Sequence, residues 1–407
     1  MTTTPHLREA PDATLLIRFG RALHEAGTAA PQLESALARL ARRLAVQAQF
    51  FSTPTSLFIA FGDGIDQRTH LERVSPGEID LGRLADLENL LERLTSGELS
   101  SAAANAELDA LERRPRRYPR GLTGLCWGLA SATSAVFLGG TLREVAVAGL
   151  VGLLTGILAW LAERRPSAER LFEPFAAAFA AFSAAAVAHA FPPLSAYIAT
   201  VAGLIVLLPG YTLTTALSEL ATRHLSSGTS RFAGALVTFL MIGLGVAVGG
   251  RIAEAIWGGV PGVIPLGPPT WLQLAALLVA PLALAVLLRA PRSEMPWIVL
   301  VGAIGYFGGR FGVEAFEPAV GMFFGALSVG LAAAAYARLR KRPASVALVP
   351  GILMLVPGSI GYKSLTALLA AEVVPGIETA FRMLLVASSL VAGLLVASAL
   401  TVASRER

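Results

Sequence analysis

The sequence has little charge, little lysine and almost no cysteine. Of its 407 residues, 15% are charged, two are lysine and one is cysteine. A single thiol, Cys126, excludes a disulfide framework, a zinc knuckle and a cysteine redox pair. Because 54% of the residues are apolar by the broad count, the composition is that of a membrane protein rather than a large soluble enzyme.

The apolar excess lies downstream of Arg120, whereas residues 1–120 have an ordinary soluble composition. The first twelve residues contain no apolar signal core, which indicates that this part is not exported. Abundant alanine and arginine fit a GC-rich bacterial genome. We therefore expect two unlike parts, a domain with a basic juxtamembrane linker over 1–120 and a membrane part after it.

Ten apolar stretches follow in the membrane part, and a spanning helix needs roughly 20 mostly apolar residues. Short polar or Gly/Pro-rich segments separate the stretches. The predicted spans are 122–138, 143–162, 172–190, 194–218, 232–250, 270–288, 295–309, 318–337, 345–367 and 379–403. The sequence therefore predicts an α-helical polytopic membrane protein with ten transmembrane helices.

Positive charge is concentrated at alternate ends of these spans. The inner set is Arg113, Arg114, Arg116, Arg117, Arg120, Arg164, Arg165, Arg170, Arg223, Arg231, Arg289, Arg292, Arg338, Arg340, Lys341, Arg342, Arg405 and Arg407. The outer set is Arg143, Arg251, Arg310, Lys363 and Arg382. Since cations favour the cytoplasmic side of short loops, both termini are predicted to face the cytoplasm.

The membrane part contains an internal repeat. The segment 203–210 (GLIVLLPG) aligns with 351–358 (GILMLVPG) at an offset of 148 residues. Further pairs are Leu217 with Leu365, Gly228 with Gly376, Gly245 with Gly393, Phe172-Glu173-Pro174 with Phe316-Glu317-Pro318, Glu144 with Glu294 and Gly152 with Gly302. The unit is five spans, 121–256 and 268–407, and an odd number inverts the second copy, as in many secondary transporters. The alternative is a chance alignment of apolar sequences.

Proline followed by glycine interrupts two spans near their middle. Proline removes a backbone donor and glycine weakens a helix, so both helices are predicted to break. A half-helix that starts after a break offers free amides to a carboxylate. The candidate substrate-binding residues, at the breaks and at helical spacing after them, are Pro209, Gly210, Thr212, Thr215, Pro357, Gly358, Ser359, Tyr362 and Lys363.

Interpretations of these residues that involve no substrate stay open. Each break can be a simple kink whose hydroxyls bond to carbonyls of their own helix. Lys363 lies only six residues after Pro357 and can snorkel to the outer surface instead of binding substrate.

Three glutamates, Glu173, Glu219 and Glu317, are candidates for ion coupling, because ionisable side chains near spans are costly and usually functional. Glu173 and Glu317 directly precede proline at the head of a span, so a role in starting a helix is the alternative. Glu219 is followed four residues later by Arg223, so an ordinary helical ion pair is its alternative.

Residues 1–120 are predicted to form a small α+β domain. The pattern indicates two helices within 13–46, paired strands at 49–61 and 68–74, and helices at 79–94 and 101–112. The polar residues His24, Glu25, Glu34, Asp63, Asp66 and His70 could be assembled into a hydrolase site. This part has no Gly-x-Ser-x-Gly, His-Glu-x-x-His or Gly-x-x-x-x-Gly-Lys motif, so we interpret them as surface charge.

The basic run 113–120 (RRPRRYPR) directly precedes a span. We attribute it to attraction for anionic lipid headgroups rather than to nucleic-acid binding. The sequence predicts no metal site, no cofactor and no catalytic residue.

Nearly the whole chain resembles the threonine/serine exporter family of bacteria and fungi. The resemblance lies in 24–41 (HEAGTAAPQLESALARLA), 50–61 (FFSTPTSLFIAF), 77–100, 207–236 (LLPGYTLTTALSELATRHLSSGTSRFAGAL) and 349–365 (VPGILMLVPGSIGYKSL). Its most specific part is Pro209-Gly210 together with Ser227-Gly228 and Arg231. The resemblance implies export of threonine or serine driven by the membrane potential or the proton gradient. Relatives with the two halves on separate chains are associated with succinate export.

We therefore predict a secondary exporter of threonine or serine in the bacterial inner membrane, working by alternating access. Its partners are a small-molecule substrate and membrane lipid, and homo-oligomerisation is open. The alternatives are an exporter of a small dicarboxylate such as succinate, or a membrane-anchored enzyme or sensor that works through residues 1–120.

Overall fold

The computed structural model describes residues 11–63, 67–75, 77–165, 171–259, 263 and 266–403. Asp66, Arg170, Arg405 and Arg407, which entered the sequence analysis, lie outside these ranges.

The N-terminal region, residues 11–112, contains four helices and three strands. They are α1 (Pro11–Glu25), α2 (Ala30–Arg43), β1 (Ala48–Thr53), β2 (Ser56–Phe61), β3 (Arg68–Arg73), α3 (Leu81–Ser96) and α4 (Ser101–Glu112). The prediction of one strand over 49–61 is wrong, because the chain turns back at Pro54-Thr55 and makes two strands. Proline suits this turn because its φ is preset and it donates no ladder hydrogen bond.

The strands form an antiparallel meander in the order β1-β2-β3. Alternate residues of β2, Leu57, Ile59 and Phe61, are buried against the helices of this region. The apolar faces of α1, α2, α3 and α4 complete the same core, which has no member beyond Leu111. The N-terminal region therefore has its own core, as a small α+β unit requires.

The C-terminal region, residues 120–403, is helical in every described element. Its helices are α5 (Arg120–Phe137), α6 (Leu142–Ala162), α7 (Phe172–Ala190), α8 (Ala196–Gly203), α9 (Gly210–Ala221), α10 (Leu225–Trp257), α11 (Thr270–Leu287), α12 (Met295–Ala315), α13 (Pro318–Arg340), α14 (Ser345–Leu353), α15 (Gly358–Leu369) and α16 (Val373–Ala403). A short 3-10 turn, Arg292–Glu294, precedes α12.

Each of the ten apolar stretches contains helix. Eight segments within the described residues are long and apolar enough to span a membrane, with 345–369 counted as one. The other two stretches correspond to α5, which carries the polar sequence Ser-Ala-Thr-Ser, and to the interrupted pair α8 and α9. Helix α12 continues to Ala315, beyond the predicted end at 309, where an ion pair between Arg310 and Glu314 (2.8 Å) supports its last turns.

Both predicted breaks are present. Helix α8 ends at Gly203 and α9 begins at Gly210, while α14 ends at Leu353 and α15 begins at Gly358. In each case proline precedes the first residue of the new helix, where its missing amide hydrogen costs nothing and its fixed φ suits the helix start.

Candidate functional site: a cavity between two broken helices

The two Pro-Gly breaks adopt the same backbone conformation and touch each other. Pro209 has φ −79° and ψ 37°, and Pro357 has φ −80° and ψ 28°. A Cβ atom added to Gly210 would overlap the side chain of Val356 and lie 3.2 Å from the Cα of Gly358. Only glycine therefore permits this crossing of the two half-helices.

A cavity of about 470 Å³ lies at the crossing, within the size range of small-molecule sites. Its walls come from α5, the two breaks, α10, α11 and the β3–α3 connection. The polar side chains that line it are Thr133, Ser134, Tyr211, Thr212, Thr238 and Ser359, and the described lining has no charged side chain. The described lining is therefore mostly apolar, with six hydroxyl groups and no charge.

Several hydroxyls of the lining are available to a ligand. Those of Ser134, Thr212, Thr238 and Ser359 make no side-chain hydrogen bond to any described residue. By contrast, Thr214 faces the protein and donates to the carbonyl of Gly210 (3.0 Å). The kink interpretation, in which hydroxyls bond back to their own helix, thus describes Thr214 but not Thr212 or Ser359.

The structure brings together part of the predicted substrate-binding set. Pro209, Thr212, Gly358 and Ser359 line the cavity, and Gly210 and Pro357 are the neighbouring residues of the two breaks. Thr215, Tyr362 and Lys363 are not part of the lining.

Tyr362 and Lys363 lie in quite different surroundings. Tyr362 is 2% exposed and packs in the apolar core beside Phe239, with its ring centroid 5.8 Å from that of Tyr197. Lys363 is exposed, in agreement with the alternative that it reaches the protein surface. Helical spacing predicted the rotation of these side chains about α15 but not which neighbouring helices they meet.

Sequence reasoning missed the lining residues outside the two breaks. Thr133 and Ser134 lie on α5, Thr238 on α10, and Tyr211 directly follows the first break. The cluster Ser131-Ala132-Thr133-Ser134 inside an apolar stretch was a usable signal, because hydroxyls in a span are uncommon without a partner.

Glu219 does not pair with Arg223. Its carboxylate is fully buried and accepts hydrogen bonds from the Ser227 hydroxyl (2.9 Å), the Arg231 guanidinium (3.2 Å) and the backbone amide of Ala30 (3.0 Å). Arg223 instead ends α9 in the left-handed conformation, with φ 65°. Glu219 therefore joins α9 and α10 to each other and to the N-terminal region.

The same contacts give the Ser227-Gly228 and Arg231 motif a physical role. Gly228 packs so closely on α9 that an added Cβ would lie 2.7 Å from the side chain of Leu220. Ser227 and Arg231 then reach Glu219 across this contact.

The other two coupling candidates lie at helix starts. Glu173 is the second residue of α7 and is half-buried, whereas Glu317 is exposed and directly precedes α13. Neither lines the cavity.

Two further glutamates, which the internal repeat aligns with each other, are almost completely buried. Glu144, 2% exposed, accepts from the amides of Thr141 (2.8 Å) and Ser195 (2.9 Å) and thereby joins the starts of α6 and α8. Glu294, 1% exposed, accepts from the Tyr336 hydroxyl (3.0 Å) and pairs with Arg340 (3.4 Å). Glu144 is thus held by backbone donors at two helix starts, and Glu294 by side chains from the last turns of α13.

The N-terminal region contacts the C-terminal region a second time through the β3–α3 connection. Arg289, which follows α11, pairs with Glu78 (2.6 Å) and Asp80 (3.5 Å). The amide of Leu81 donates to the carbonyl of Leu288 (2.9 Å). Ile79, between these contacts, lines the cavity. The N-terminal region therefore supplies part of the cavity wall.

The polar residues of the N-terminal region do not converge on one site. His24 is buried and its Nε2 donates to the carbonyl of Thr53 (2.8 Å), and burial lowers its pKa. Glu25 pairs with Arg21 (2.9 Å), and Glu34 accepts from the Ser52 amide (2.8 Å). Among the described residues no group of three His, Cys, Asp or Glu side chains could hold a metal ion.

Apolar spanning helices around an uncharged cavity with hydroxyl groups in its lining define a multi-pass membrane protein with a candidate small-molecule site. A family model described as "Putative threonine/serine exporter" matches residues 14–253, and one described as "Threonine/Serine exporter, ThrE" matches residues 273–400. The chain belongs to this family of membrane exporters. The interval between the two matches contains the connection from α10 to α11.

Similar curated proteins are fungal. The chain is 28% identical over 363 residues to pheromone-regulated membrane protein 10 of Candida albicans (strain WO-1), covering 86% of this chain and 33% of that protein. It is 25% identical over 358 residues to the protein of the same name from Eremothecium gossypii, covering 86% and 48%. The chain spans between a third and half of the length of these relatives. No solved structure matches it.

Proposed function

We propose that this protein is a secondary active exporter of threonine and serine that works by alternating access between two five-span halves. The observation that carries the proposal is the neutral, hydroxyl-lined cavity where the two broken helices cross. We place the exporter in a bacterial inner membrane with both termini in the cytoplasm. The distribution of arginine and lysine favours this orientation, and the high content of alanine and arginine favours a bacterial origin.

Features that recur 148 residues apart support two related halves. The helices after the breaks end alike, with Arg223 at φ 65° and Ala371 at φ 62°. Gly228 packs on Leu220 as Gly376 packs on Leu368. We infer that the two halves are inverted relative to each other, because a unit with an odd number of spans enters the membrane from the opposite side in its second copy, and this arrangement suits exchange between two access states.

A zwitterionic amino acid fits the electrostatics of the cavity. The starts of α9 and α15 offer backbone amides to a carboxylate, and the carbonyl ends of α8 and α14 offer acceptors to an ammonium group. Thr212 and Ser359, next to the breaks, can hydrogen-bond the hydroxyl of threonine or serine.

The same cavity is less suited to a dicarboxylate. A second carboxylate would need another cation, and the described lining supplies none, since Lys363 is exposed and outside it. Burial of an unpaired charge is costly. Succinate is therefore the alternative substrate rather than the preferred one.

We also propose that the N-terminal region gates the cavity. Ile79 forms part of the wall, and the contacts of Arg289 and of Glu219 attach the region to both halves. Alternating access moves the halves relative to each other. Because the N-terminal region is attached to both halves, its contacts with at least one of them must break and form again during the cycle. Glu173, Glu219 and Glu317 stay the candidates for coupling to the proton gradient.

Counterflow in proteoliposomes tests the proposal without an assumption about the coupling ion. Vesicles that contain the full chain are loaded with unlabelled threonine, serine, alanine or succinate, and uptake of the labelled compound is followed. We expect exchange of threonine and serine. Exchange of succinate alone would replace the amino acid by a dicarboxylate, and no exchange from folded protein would contradict the export of all four compounds.

Three variants test the site itself. Thr212→Ala and Ser359→Ala each remove a free hydroxyl at the cavity. Each should raise the threonine concentration that gives half-maximal exchange by about three- to tenfold, which corresponds to the loss of one hydrogen bond. Lys363→Ala, on the same helix as Ser359 but exposed, is the matched control and should leave exchange unchanged. Loss of exchange in Lys363→Ala alone would move the site away from the cavity.

A further inference from the structure

A second cavity, of about 770 Å³, lies where the N-terminal region meets α5, α6 and the end of α11. We call it the junction cavity. Its wall is formed by six residues between 116 and 124, by the last turns of α6, by 286–289 and by Glu78 with Ile79. It borders the substrate cavity, since both are lined by Ile79 and by Leu207.

One side of the junction cavity is basic. Its charged lining residues are Arg116, Arg120, Arg289, Glu78 and Glu163. Arg116 pairs with Glu163 (3.0 Å) and Arg289 with Glu78 (2.6 Å), so both acids are neutralised. Arg120 makes no ion pair with a described residue, which leaves one uncompensated positive charge at the cavity.

The first turn of α5 adds backbone donors next to Arg120. The helix begins at Arg120. The first backbone amide of this helix that donates a helical hydrogen bond is that of Thr123, to the carbonyl of Pro119 (3.2 Å). Gly121 and Gly124 line the cavity and have open space where a Cβ would stand. The polarity of a helix start favours an anion beside these residues.

The other side of the junction cavity is apolar and reaches the lipid-facing surface. Trp127, Leu153 and Ile157 line it, and Ile157 is 42% exposed on α6, one of the helices apolar enough to span a membrane. Trp160 also lines the cavity; the guanidinium of Arg164 lies over its ring (3.9 Å), and its indole nitrogen is buried without a hydrogen-bond partner in the described structure. A buried unpaired donor costs free energy unless a ligand supplies an acceptor.

We propose that the junction cavity binds one anionic phospholipid. Its phosphate lies between Arg120 and the first turn of α5, an ester oxygen accepts from Trp160, and one acyl chain follows Trp127 and Ile157 towards the bilayer. Basic pockets between spanning helices are suited to anionic headgroups, and tryptophan to the headgroup level. The unbalanced charge of Arg120 favours an anionic over a zwitterionic lipid.

Lipid binding is measurable on the full chain, independently of transport. Delipidated protein in detergent is titrated with palmitoyl-oleoyl phosphatidylglycerol, with the matching phosphatidylcholine and with glycerol phosphate, and bound molecules are counted by native mass spectrometry. We expect one phosphatidylglycerol at an affinity about tenfold above that of phosphatidylcholine. Equal affinity of the two lipids, or glycerol phosphate binding as tightly as the lipid, would overturn the proposal.

Matched variants locate the site. Arg120→Gln should weaken phosphatidylglycerol binding about tenfold, Arg120→Lys should retain most of it, and Trp160→Phe should weaken it several-fold. Arg113→Gln, in the same basic run but outside the lining, and Trp271→Phe, an exposed tryptophan at the start of α11, are the controls. An equal loss in Arg113→Gln and Arg120→Gln would mean diffuse surface attraction and no site. Circular dichroism of each variant shows whether it is folded.

Discussion

Gly210 and Gly358, 148 residues apart in the chain, lie against each other where the two broken helices cross, and a Cβ on Gly210 would be 3.2 Å from the Cα of Gly358. The contact joins the first residue of α9 to the first residue of α15. Any movement of one half-helix relative to the other therefore has to change the contact between Gly210 and Gly358.

Gly210→Ala should therefore be more damaging than Gly358→Ala. A methyl group on Gly210 overlaps Val356, whereas one on Gly358 lies 3.3 Å from Leu208 and needs only a small adjustment. Overpacking of this kind costs about 1–3 kcal/mol. We expect Gly210→Ala to lower both the thermal midpoint and the exchange rate, measured by melting and by counterflow.

Gly234→Ala on α10 is the matched control for this pair, because nothing lies within 4 Å of its added Cβ. It should melt at or above the temperature of the parent protein, since alanine is the better helix former. Equal behaviour of Gly210→Ala and Gly234→Ala would mean that the crossing is not tightly packed.

Glu219→Gln should destabilise the protein. The substitution removes the charge that neutralises Arg231, whose side chain is only 19% exposed, and breaking a buried pair costs about 3 kcal/mol. The thermal midpoint of the full chain measures the loss. Glu378→Gln, in an exposed pair with Arg382, should change it little. A Glu219→Gln protein that melts normally but loses proton-driven efflux while retaining counterflow would instead assign Glu219 to coupling.

Arg289→Gln should release the β3–α3 connection. Without the pairs to Glu78 and Asp80, the backbone hydrogen bond from Leu81 to Leu288 has fewer contacts to hold it closed. We expect hydrogen exchange at the Leu81 amide to accelerate about tenfold, equivalent to about 1.4 kcal/mol of local opening. Arg251→Gln, in an exposed pair with Glu254, is the control. An unchanged rate of hydrogen exchange at the Leu81 amide would show that Arg289 does not hold the β3–α3 connection in place.

Glu88 should make stability depend on pH. Burial raises the pKa of this α3 carboxyl from 4.5 to about 7. The folded protein then binds the proton more tightly than the unfolded chain, so the stability it contributes is complete below about pH 4.5 and is lost as the pH rises through 7.

Glu88→Gln should consequently flatten the profile of thermal midpoint against pH between 5 and 8, and at pH 8 it should stabilise the protein by at most about 3 kcal/mol. Glu98→Gln, an exposed residue just after α3, should retain the slope. A slope that is the same in Glu88→Gln and in the parent would show that another group titrates.

Much of the membrane architecture could be predicted from the sequence because its causes are local. Apolar stretches of spanning length are helical, and the breaks occur at Pro209 and Pro357 because a proline lacks the amide hydrogen whatever its surroundings. The turn at Pro54-Thr55 was missed although it too is local, and the polar run Ser-Thr-Pro-Thr-Ser at 52–56 was a usable signal for it.

The candidate site was only partly predictable. Thr212 and Ser359 could be identified because they follow the breaks, but Ser134 and Thr238 come from helices that the chain order does not bring near them. Lys363 fits the same helical spacing as a ligand, yet the neighbours of α15 leave it exposed.

The sequence by itself determined the class of protein and the positions of the two breaks, since apolar length and proline chemistry act over a few residues. Only the tertiary structure decided that Gly210 meets Gly358, that Glu219 bonds to Ala30 of the N-terminal region rather than to Arg223, and that Ile79 completes the cavity wall. The physical reason is that spacing along a helix defines which side chains share a face. What that face packs against depends on contacts between residues far apart in the chain.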